Sequence, residues 1–272
     1  MRKVCCLKSQ NKTKIIQKFQ NILAGNQTLS LALSLGEGQL AHQKTKGFTL
    51  AEVLITLGII GVVAAMTIPT LIAKTQKNQT VTKLQKAISV LNQAYKMSYA
   101  ENGEIDANEQ MELGSEQYFK EYWTPYIKVN QFCSNARNCG YSSDYPTYML
   151  NGARTGWHWT SDHRRTLFST MDGFTYLIVS SYANNAMGKQ VSETLIFVDI
   201  NGSNKPNRYG RDIFQLVPIS NGGGISPYGY NLTDKEVENK CSSNFTDSDI
   251  STCAERIKRA GWKIDSNYPW KN

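Results

Sequence analysis

One short junction places a single carboxylate, which could make an electrostatic contact, at the start of an otherwise uncharged stretch. Gly47 is followed by an aromatic residue, Phe48, and a single acid, Glu52, occupies the fifth position counted from Phe48. Glu52 is the only ionisable side chain between Phe48 and Ala73. A carboxylate near the start of a helix is favoured by the helix dipole.

The segment after the junction is long enough to cross a membrane. Val53–Ala73 has 21 residues and no charge, which is the length that a helix needs to span about 30 Å of hydrocarbon. Lys44 and Lys46 precede it, and Lys74 and Lys77 follow it. A buried core helix is the alternative, but such helices are rarely apolar around the whole circumference. We therefore predict a membrane helix.

The helical period continues beyond the apolar segment, where apolar residues recur in steps of three and four: Val81, Leu84, Ile88, Leu91 and Tyr95. Polar residues lie between them, so this part is amphipathic with one apolar stripe. Asn102-Gly103 is a stop signal. We predict one helix from about Thr49 to Ala100, bent or locally opened at Pro69 because proline lacks the backbone donor.

The stretch Lys44–Ile55 resembles the class III signal of type IV prepilins and type II secretion pseudopilins. That signal is a basic leader ending in glycine, then phenylalanine, then a glutamate as fifth mature residue, then an apolar stretch. Gly47, Phe48 and Glu52 match it in type and spacing. Pro69 falls where this family usually carries its helix-bending proline.

The resemblance implies a processing and assembly route. Prepilin peptidase would cut after Gly47 on the cytoplasmic side, and the new amino group of Phe48 would be N-methylated. Glu52 would lack a partner in lipid and pair in the filament with the Phe48 amine of a neighbouring subunit. The expected partners are other pilin or pseudopilin subunits, prepilin peptidase, membrane lipid and the inner-membrane assembly machinery.

The implied protein is a structural subunit rather than an enzyme. It would begin as a single-pass precursor in the cytoplasmic membrane with its head outside the cytosol, and then enter a periplasmic or cell-surface filament. The sequence leaves a type IV pilus and a type II secretion pseudopilus equally open. An alternative is a minor pilin whose head binds a surface ligand or DNA, and a membrane-anchored enzyme is disfavoured because no catalytic constellation is evident.

The fold class implied is α+β, a pilin fold in which a protruding N-terminal helix packs its second half on an antiparallel sheet. The expected organisation is a leader over 1–47, a membrane and assembly helix over 48–73, an amphipathic continuation over 74–103 and a globular head over 104–272. Further elements predicted in the head are helices at Glu116–Lys128 and Cys253–Lys263 and strands at Phe174–Ser181, Thr194–Ile200 and Ile213–Pro218. The last two strands suit a hairpin with a long loop.

The leader of 47 residues is longer than is usual in this family. Thr28–Leu35 is a weak apolar patch that could serve as a conventional secretory core. We favour a different hypothesis, in which translation starts at Leu40 and gives an ordinary short leader.

The charge distribution argues against a nucleic-acid partner. The formal net charge is +8, and residues 1–47 account for +7 of it. The rest of the chain is nearly neutral, whereas affinity for nucleic acid rises with the number of phosphates neutralised.

Four cysteines lie in the predicted head, and their spacing favours two local disulfides, Cys133–Cys139 and Cys241–Cys253. Buried thiols and a metal site are alternatives, although neither spacing is of the CxxC type. If the disulfides form, the head lies outside the reducing cytosol.

Asp199, Asn201 and Asp212 bracket the predicted hairpin loop. Related pseudopilins bind calcium near their C-terminal strands, and oxygen ligands suit calcium. The same residues also suit an ordinary turn, so calcium and a turn are alternatives here and no other cofactor is expected. The stretch Trp157-His158-Trp159 is interpreted as an exposed aromatic loop or a packed turn.

Overall fold

The structure is a computed structural model that describes residues 47–103, 112–184, 190–219, 222–244 and 251–270. The predicted leader before Gly47, including the patch at 28–35 and the hypothetical start at Leu40, lies outside the described residues. The described helices are α1 (Leu50–Asn102), α2 (Ser115–Tyr122), α3 (Asp234–Lys240) and α4 (Cys253–Arg259). The described strands are β1 (Val129–Cys133), β2 (Arg165–Thr170), β3 (Thr175–Asn184), β4 (Gln190–Asp199), β5 (Ile213–Ile219) and β6 (Gly224–Pro227).

Helix α1 has 53 residues and is continuous through Pro69, which confirms the predicted helix to within two residues at each end. The threonines on either side of the proline donate to carbonyls one turn back, Thr67 to Val63 and Thr70 to Met66. Helical threonines often bond in this way. The bend at Pro69 stays a prediction.

The six described strands form one sheet in sequence order, and every neighbouring pair is antiparallel. Such a meander needs only local turns or loops between strands. The hairpin predicted from the sequence is β4 and β5, which pair Ile196 with Leu216 and Asp199 with Ile213. The architecture is α+β and pilin-like, as the resemblance implies.

Side chains of one strand point alternately to the two faces of the sheet, and here both faces are covered. One face packs against α1, α2 and α4 through residues that include Phe168, Tyr176, Ile178, Ile196, Val198, Phe214 and Leu216. The other face packs under the long segment between β1 and β2 through residues that include Leu167, Leu177, Val179, Phe197 and Ile213. Strands buried on both faces therefore read as nearly continuous apolar runs.

The second half of α1 is fastened to the sheet at several levels. Thr80 donates to the Arg211 carbonyl over 3.3 Å, and Lys86 forms a 3.1 Å ion pair with Asp172. Nearer the C-terminus of α1, the Asn92 side chain accepts from the Ile225 N–H over 2.7 Å and donates to the Ile225 carbonyl over 2.9 Å.

The contact at Asn92 satisfies the outward-facing backbone of an edge strand. Strand β6 is at the edge of the sheet, where unpaired backbone groups invite association with other chains. A Cβ at Gly224 would lie 2.3 Å from Asn92 Oδ1, so only glycine permits this approach.

Two predicted helices are shorter in the structure. The helix expected to reach Lys128 ends at Tyr122, because Pro125 disfavours a helical conformation in the residue before it and removes a donor. The helix expected to reach Lys263 ends at Arg259, shortly before Gly261, a residue type that favours helix termination.

Candidate processing and assembly site

Helix α1 begins in a capping box. The Glu52 carboxylate accepts from the Thr49 backbone N–H over 2.8 Å and from the Thr49 hydroxyl over 2.9 Å. In return the Glu52 N–H donates to the Thr49 hydroxyl over 3.2 Å. This reciprocal arrangement satisfies donors that a helix N-terminus otherwise leaves unpaired.

The capping box gives Glu52 a local partner, since Thr49 donates two hydrogen bonds to its carboxylate. The expectation that Glu52 lacks a charged partner in lipid stays a prediction. The sequence reasoning missed Thr49, although Thr-x-x-Glu before an apolar run is the known signature of a capping box. Thr49 fixes where the carboxylate lies and leaves its charge uncompensated, since a neutral donor carries no counter-charge.

Gly47 and Phe48 precede the helix and are exposed, Phe48 with 86% of its surface accessible. A Cβ added at Gly47 would meet no atom within 4 Å. The described structure therefore makes no steric demand for glycine at position 47, and a demand for it must come from the reaction that the resemblance implies.

The first half of α1 presents apolar side chains to solvent on every side. Residues 50–79 are exposed except for three that are half-buried, and the exposed ones include Leu54, Leu57, Ile59, Ile60, Met66 and Leu71. This part of the helix is long and apolar enough to cross a membrane. Its most apolar stretch of 18 residues contains no buried residue within the described structure. A continuous apolar surface of this kind indicates a contact with lipid or protein.

Both local disulfides are present, Cys133–Cys139 and Cys241–Cys253, with Cα–Cα distances of 5.6 and 4.8 Å. The first closes the turn after β1, and the second joins the end of α3 to the start of α4. This pairing is the one that the spacing favours.

The structure brings Asp199, Asn201 and Asp212 together at the ends of the β4–β5 loop. Asp199 is fully buried and accepts from the Tyr141 hydroxyl over 2.9 Å and from the Asn201 N–H over 3.1 Å. Asp212 accepts from the backbone N–H groups of Asn207 and Arg208. Burial raises the pKa of Asp212 to about 6, and burial together with the neighbouring Asp212 charge raises the pKa of Asp199 well above its usual range.

These residues do not fit a calcium site well. Both oxygens of each carboxylate already accept hydrogen bonds from protein donors, whereas a bound cation would need them as ligands. Among the described residues no group of three or more histidine, cysteine, aspartate or glutamate side chains could hold a metal. The cluster instead anchors the loop, and we propose no metal there.

The aromatic stretch is a packed segment without regular secondary structure rather than an exposed loop. Trp159 is completely buried against the second face of the sheet. Trp157 is half-buried, with the Arg165 guanidinium 5.9 Å from its ring centroid. The His158 ring stacks on Tyr145 at 4.9 Å. These contacts are structural, and they leave the start of α1 as the candidate functional site.

Comparison with known families agrees with this choice. Residues 42–68 match the prokaryotic N-terminal methylation motif, and residues 70–272 match a family of unknown function, DUF6613. No curated protein and no solved structure matches the chain.

The first match covers the junction and most of the apolar helix, and the fold is pilin-like, so the chain is of the type IV prepilin and pseudopilin class. That class is structural, which is consistent with a non-enzymatic protein. The second match covers well over half of the residues, and the chain belongs to DUF6613, the family of unknown function.

Proposed function

We propose that the chain is a structural subunit of a type IV pilus or a type II secretion pseudopilus. Prepilin peptidase cleaves it after Gly47, the new Phe48 amino group is methylated, and the first half of α1 then passes from the membrane into a filament of similar subunits. Residues 1–47 are the leader, 48–73 the membrane and assembly part, 74–103 the continuation and 104–272 the head. The inner-membrane assembly machinery is the remaining partner.

The proposal is supported mainly by the exposure of apolar side chains in the first half of α1. A helix that begins with a methylation motif exposes apolar side chains all around its circumference. Lipid satisfies that surface before assembly, and the helices of neighbouring subunits satisfy it afterwards. Both environments exclude water from the same side chains, so the transfer between them does not require apolar surface to be exposed to water.

Glu52 contributes an electrostatic interaction to assembly. A buried carboxylate without a counter-charge is unfavourable, and a positively charged amine restores the balance. In this proposal the Phe48 amine of a neighbouring subunit approaches the carboxylate that Thr49 holds in place. Apolar helices can slide past one another with little penalty, and such a pair selects one axial position.

The location proposed for the head is outside the cytosol. Two disulfides in the head support it, because disulfides persist in oxidising compartments and are rare in the cytosol.

Mass spectrometry of the N-terminus in membrane fractions tests the processing step. Mature protein should begin at Phe48 and carry a methyl group on its nitrogen. Gly47→Val should accumulate uncleaved precursor, because a branched side chain obstructs access to the scissile bond.

Gly58→Ala is the matched control, since a Cβ there also meets no atom within 4 Å and the change leaves the junction intact. It should be processed normally. A mature terminus near residue 36, or normal cleavage of Gly47→Val, would contradict the proposed processing.

A further inference from the structure

A cavity of about 180 Å³ lies between α1 and the β4–β5 loop. We call it the basal pocket, and the lining residues that matter here are Gln76, Thr80, Lys83, Lys205, Arg211 and Trp270. We propose that the basal pocket binds the phosphate headgroup of an anionic phospholipid in the membrane that anchors the chain. This inference rests on one part of the proposed function, namely that Val53–Ala73 lies in a membrane.

The position of the pocket along α1 matches the height of lipid headgroups. A helix rises about 1.5 Å per residue, so Gln76 lies about 4–5 Å beyond Ala73 along the axis and Thr80 about 10 Å beyond it. The headgroup layer adds about 5–8 Å to each side of the hydrocarbon. The lower part of the pocket therefore opens at the phosphate level.

Helical side chains also lean toward the N-terminus of their helix. For Lys83 that direction is back toward the membrane. Lys74 and Lys77 precede the pocket on the same helix and add positive charge near the hydrocarbon edge. Long basic side chains close to a membrane reach readily into the headgroup layer.

The charge around the pocket favours an anion. Lys83 and Lys205 are exposed, and neither forms an ion pair with any residue that the structure describes. The acids nearby are Asp212, which lines the pocket, and the fully buried Asp199, whose charged form Lys83 favours from a distance. Both carboxylates are already occupied by protein donors of the β4–β5 loop.

Trp270 and Arg211 add two features typical of a membrane surface. The Arg211 guanidinium lies 5.0 Å from the centroid of the Trp270 ring, and tryptophan is enriched at the interface between membrane and water. The indole N–H of Trp270 is buried without a hydrogen-bond partner among the described residues. A lipid phosphate carries only acceptor oxygens, and a guanidinium can bind such a group with two parallel hydrogen bonds.

The test uses the full chain purified in a neutral detergent. Native mass spectrometry and thermal unfolding follow titration with dihexanoyl phosphatidylglycerol, with dihexanoyl phosphatidylcholine and with inorganic phosphate. We expect one phosphatidylglycerol per chain, bound at least about tenfold more tightly than phosphatidylcholine, and a higher unfolding temperature with bound lipid.

Two double variants locate the site. Lys83→Gln with Lys205→Gln should weaken phosphatidylglycerol binding by at least about tenfold, while unfolding without lipid stays unchanged. Lys128→Gln with Lys235→Gln removes the same charge from exposed positions outside the basal pocket and should change binding by less than about twofold.

Equal losses in both double variants would overturn the proposal, because they would indicate attraction to net charge alone. Equal binding of the two lipids would overturn it as well. Inorganic phosphate that binds as tightly as the lipid would assign the pocket to a soluble anion and overturn the membrane source. Unchanged lipid binding together with lost filaments in the first double variant would assign these lysines to an acidic protein partner.

Failure here is distinguishable from failure of the proposed function. The binding measurement does not depend on cleavage or polymerisation, so a negative result leaves the processing experiment unaffected. An unprocessed N-terminus would instead remove the support for a prepilin while leaving the measured binding valid.

Discussion

The two halves of α1 belong to one uninterrupted helix and differ in what satisfies their apolar residues. In residues 80–102 the apolar stripe is buried, and Leu84, Ala87 and Leu91 are completely inaccessible. In residues 50–79 large apolar side chains are mostly exposed. The same helix therefore has one half that packs on other residues of this chain and another half that the described part of the chain leaves mostly exposed.

The difference shows how a filament subunit can fold before it assembles. The second half and the sheet form a core from residues of this chain, so its stability is measured as a property of the chain. The first half contributes nothing to that core and is available for lipid and for other subunits. Substitutions in the two halves should consequently affect different measurements.

The largest effect is expected from removing the charge of Glu52. Glu52→Gln should abolish polymerisation, because the Phe48 amine would enter the filament core without a counter-charge. Glutamine also serves at this position of a capping box, so the helix start should survive. Membrane insertion and cleavage after Gly47 should continue, insertion slightly more readily without the charge.

The measurement is the yield of sheared filaments beside the abundance of the protein in the membrane fraction. Glu238→Gln in α3 is the matched control and should leave both quantities unchanged. Normal filament yield from Glu52→Gln would mean that Glu52 is only a helix-end carboxylate.

A leucine-to-alanine pair separates the two halves directly. Leu91→Ala in the docked half should lower the free energy of unfolding by about 2–5 kcal/mol, since it leaves a cavity in the core. Leu57→Ala in the exposed half should change it by no more than about 0.5 kcal/mol. Denaturant unfolding in detergent, followed by tryptophan fluorescence, measures both.

The assembly assay should give the reverse order, provided that Leu91→Ala still folds at the growth temperature. Leu57→Ala should lower filament yield more than its effect on stability accounts for. Equal destabilisation by the two substitutions would remove the distinction between the halves.

The structure shows which parts of this division could be predicted from the sequence. An uncharged segment followed by apolar residues spaced three and four apart predicts a helix that is apolar all round in its first half and on one side in its second half. The described helix has this pattern. The two disulfides join the pairs of cysteines that the spacing favours. Strands β1, β2 and β6 were not predicted. β6 is four residues long and follows a run of glycines, and its outward backbone is satisfied by Asn92, which lies more than 130 positions away.

The sequence predicts which residues form the candidate site, but it does not predict the hydrogen bonds that position Glu52. Gly47, Phe48 and Glu52 are recognisable because their types and spacing form a motif. The two hydrogen bonds from Thr49 depend on where the helix begins, and helix boundaries are the least certain feature of any sequence pattern. The segment between β1 and β2 covers the second face of the sheet, but its apolar residues do not recur with a regular spacing in the sequence. The burial of Trp159 could therefore not be predicted from the residues around it.

A further predicted effect concerns pH and the docked half. Burial raises the pKa of Asp212 to about 6, above its value in an unfolded chain, so the folded protein binds this proton more tightly. The associated stability is fully present below about pH 4 and is lost as pH rises through about 6, and it amounts to about 2–3 kcal/mol.

Asp212→Asn should remove this dependence, because the amide does not titrate. The comparison is the change in unfolding free energy between pH 4.5 and 7.5 for the wild type and for the variant. Identical changes in the two proteins would contradict the raised pKa that burial gives Asp212.

Photo-crosslinking from the exposed half tests the central claim most directly. A photoreactive benzoylphenylalanine replaces Ile60, which is 63% exposed in the first half of α1, and a second version replaces Ile88, which is half-buried against the sheet. We predict that position 60 forms lipid adducts in the membrane fraction and covalent dimers of the chain in sheared filaments, while position 88 crosslinks within its own chain. Intrachain crosslinks alone from position 60 in both fractions would show that the partner of the exposed half lies within the chain, and the account would be wrong.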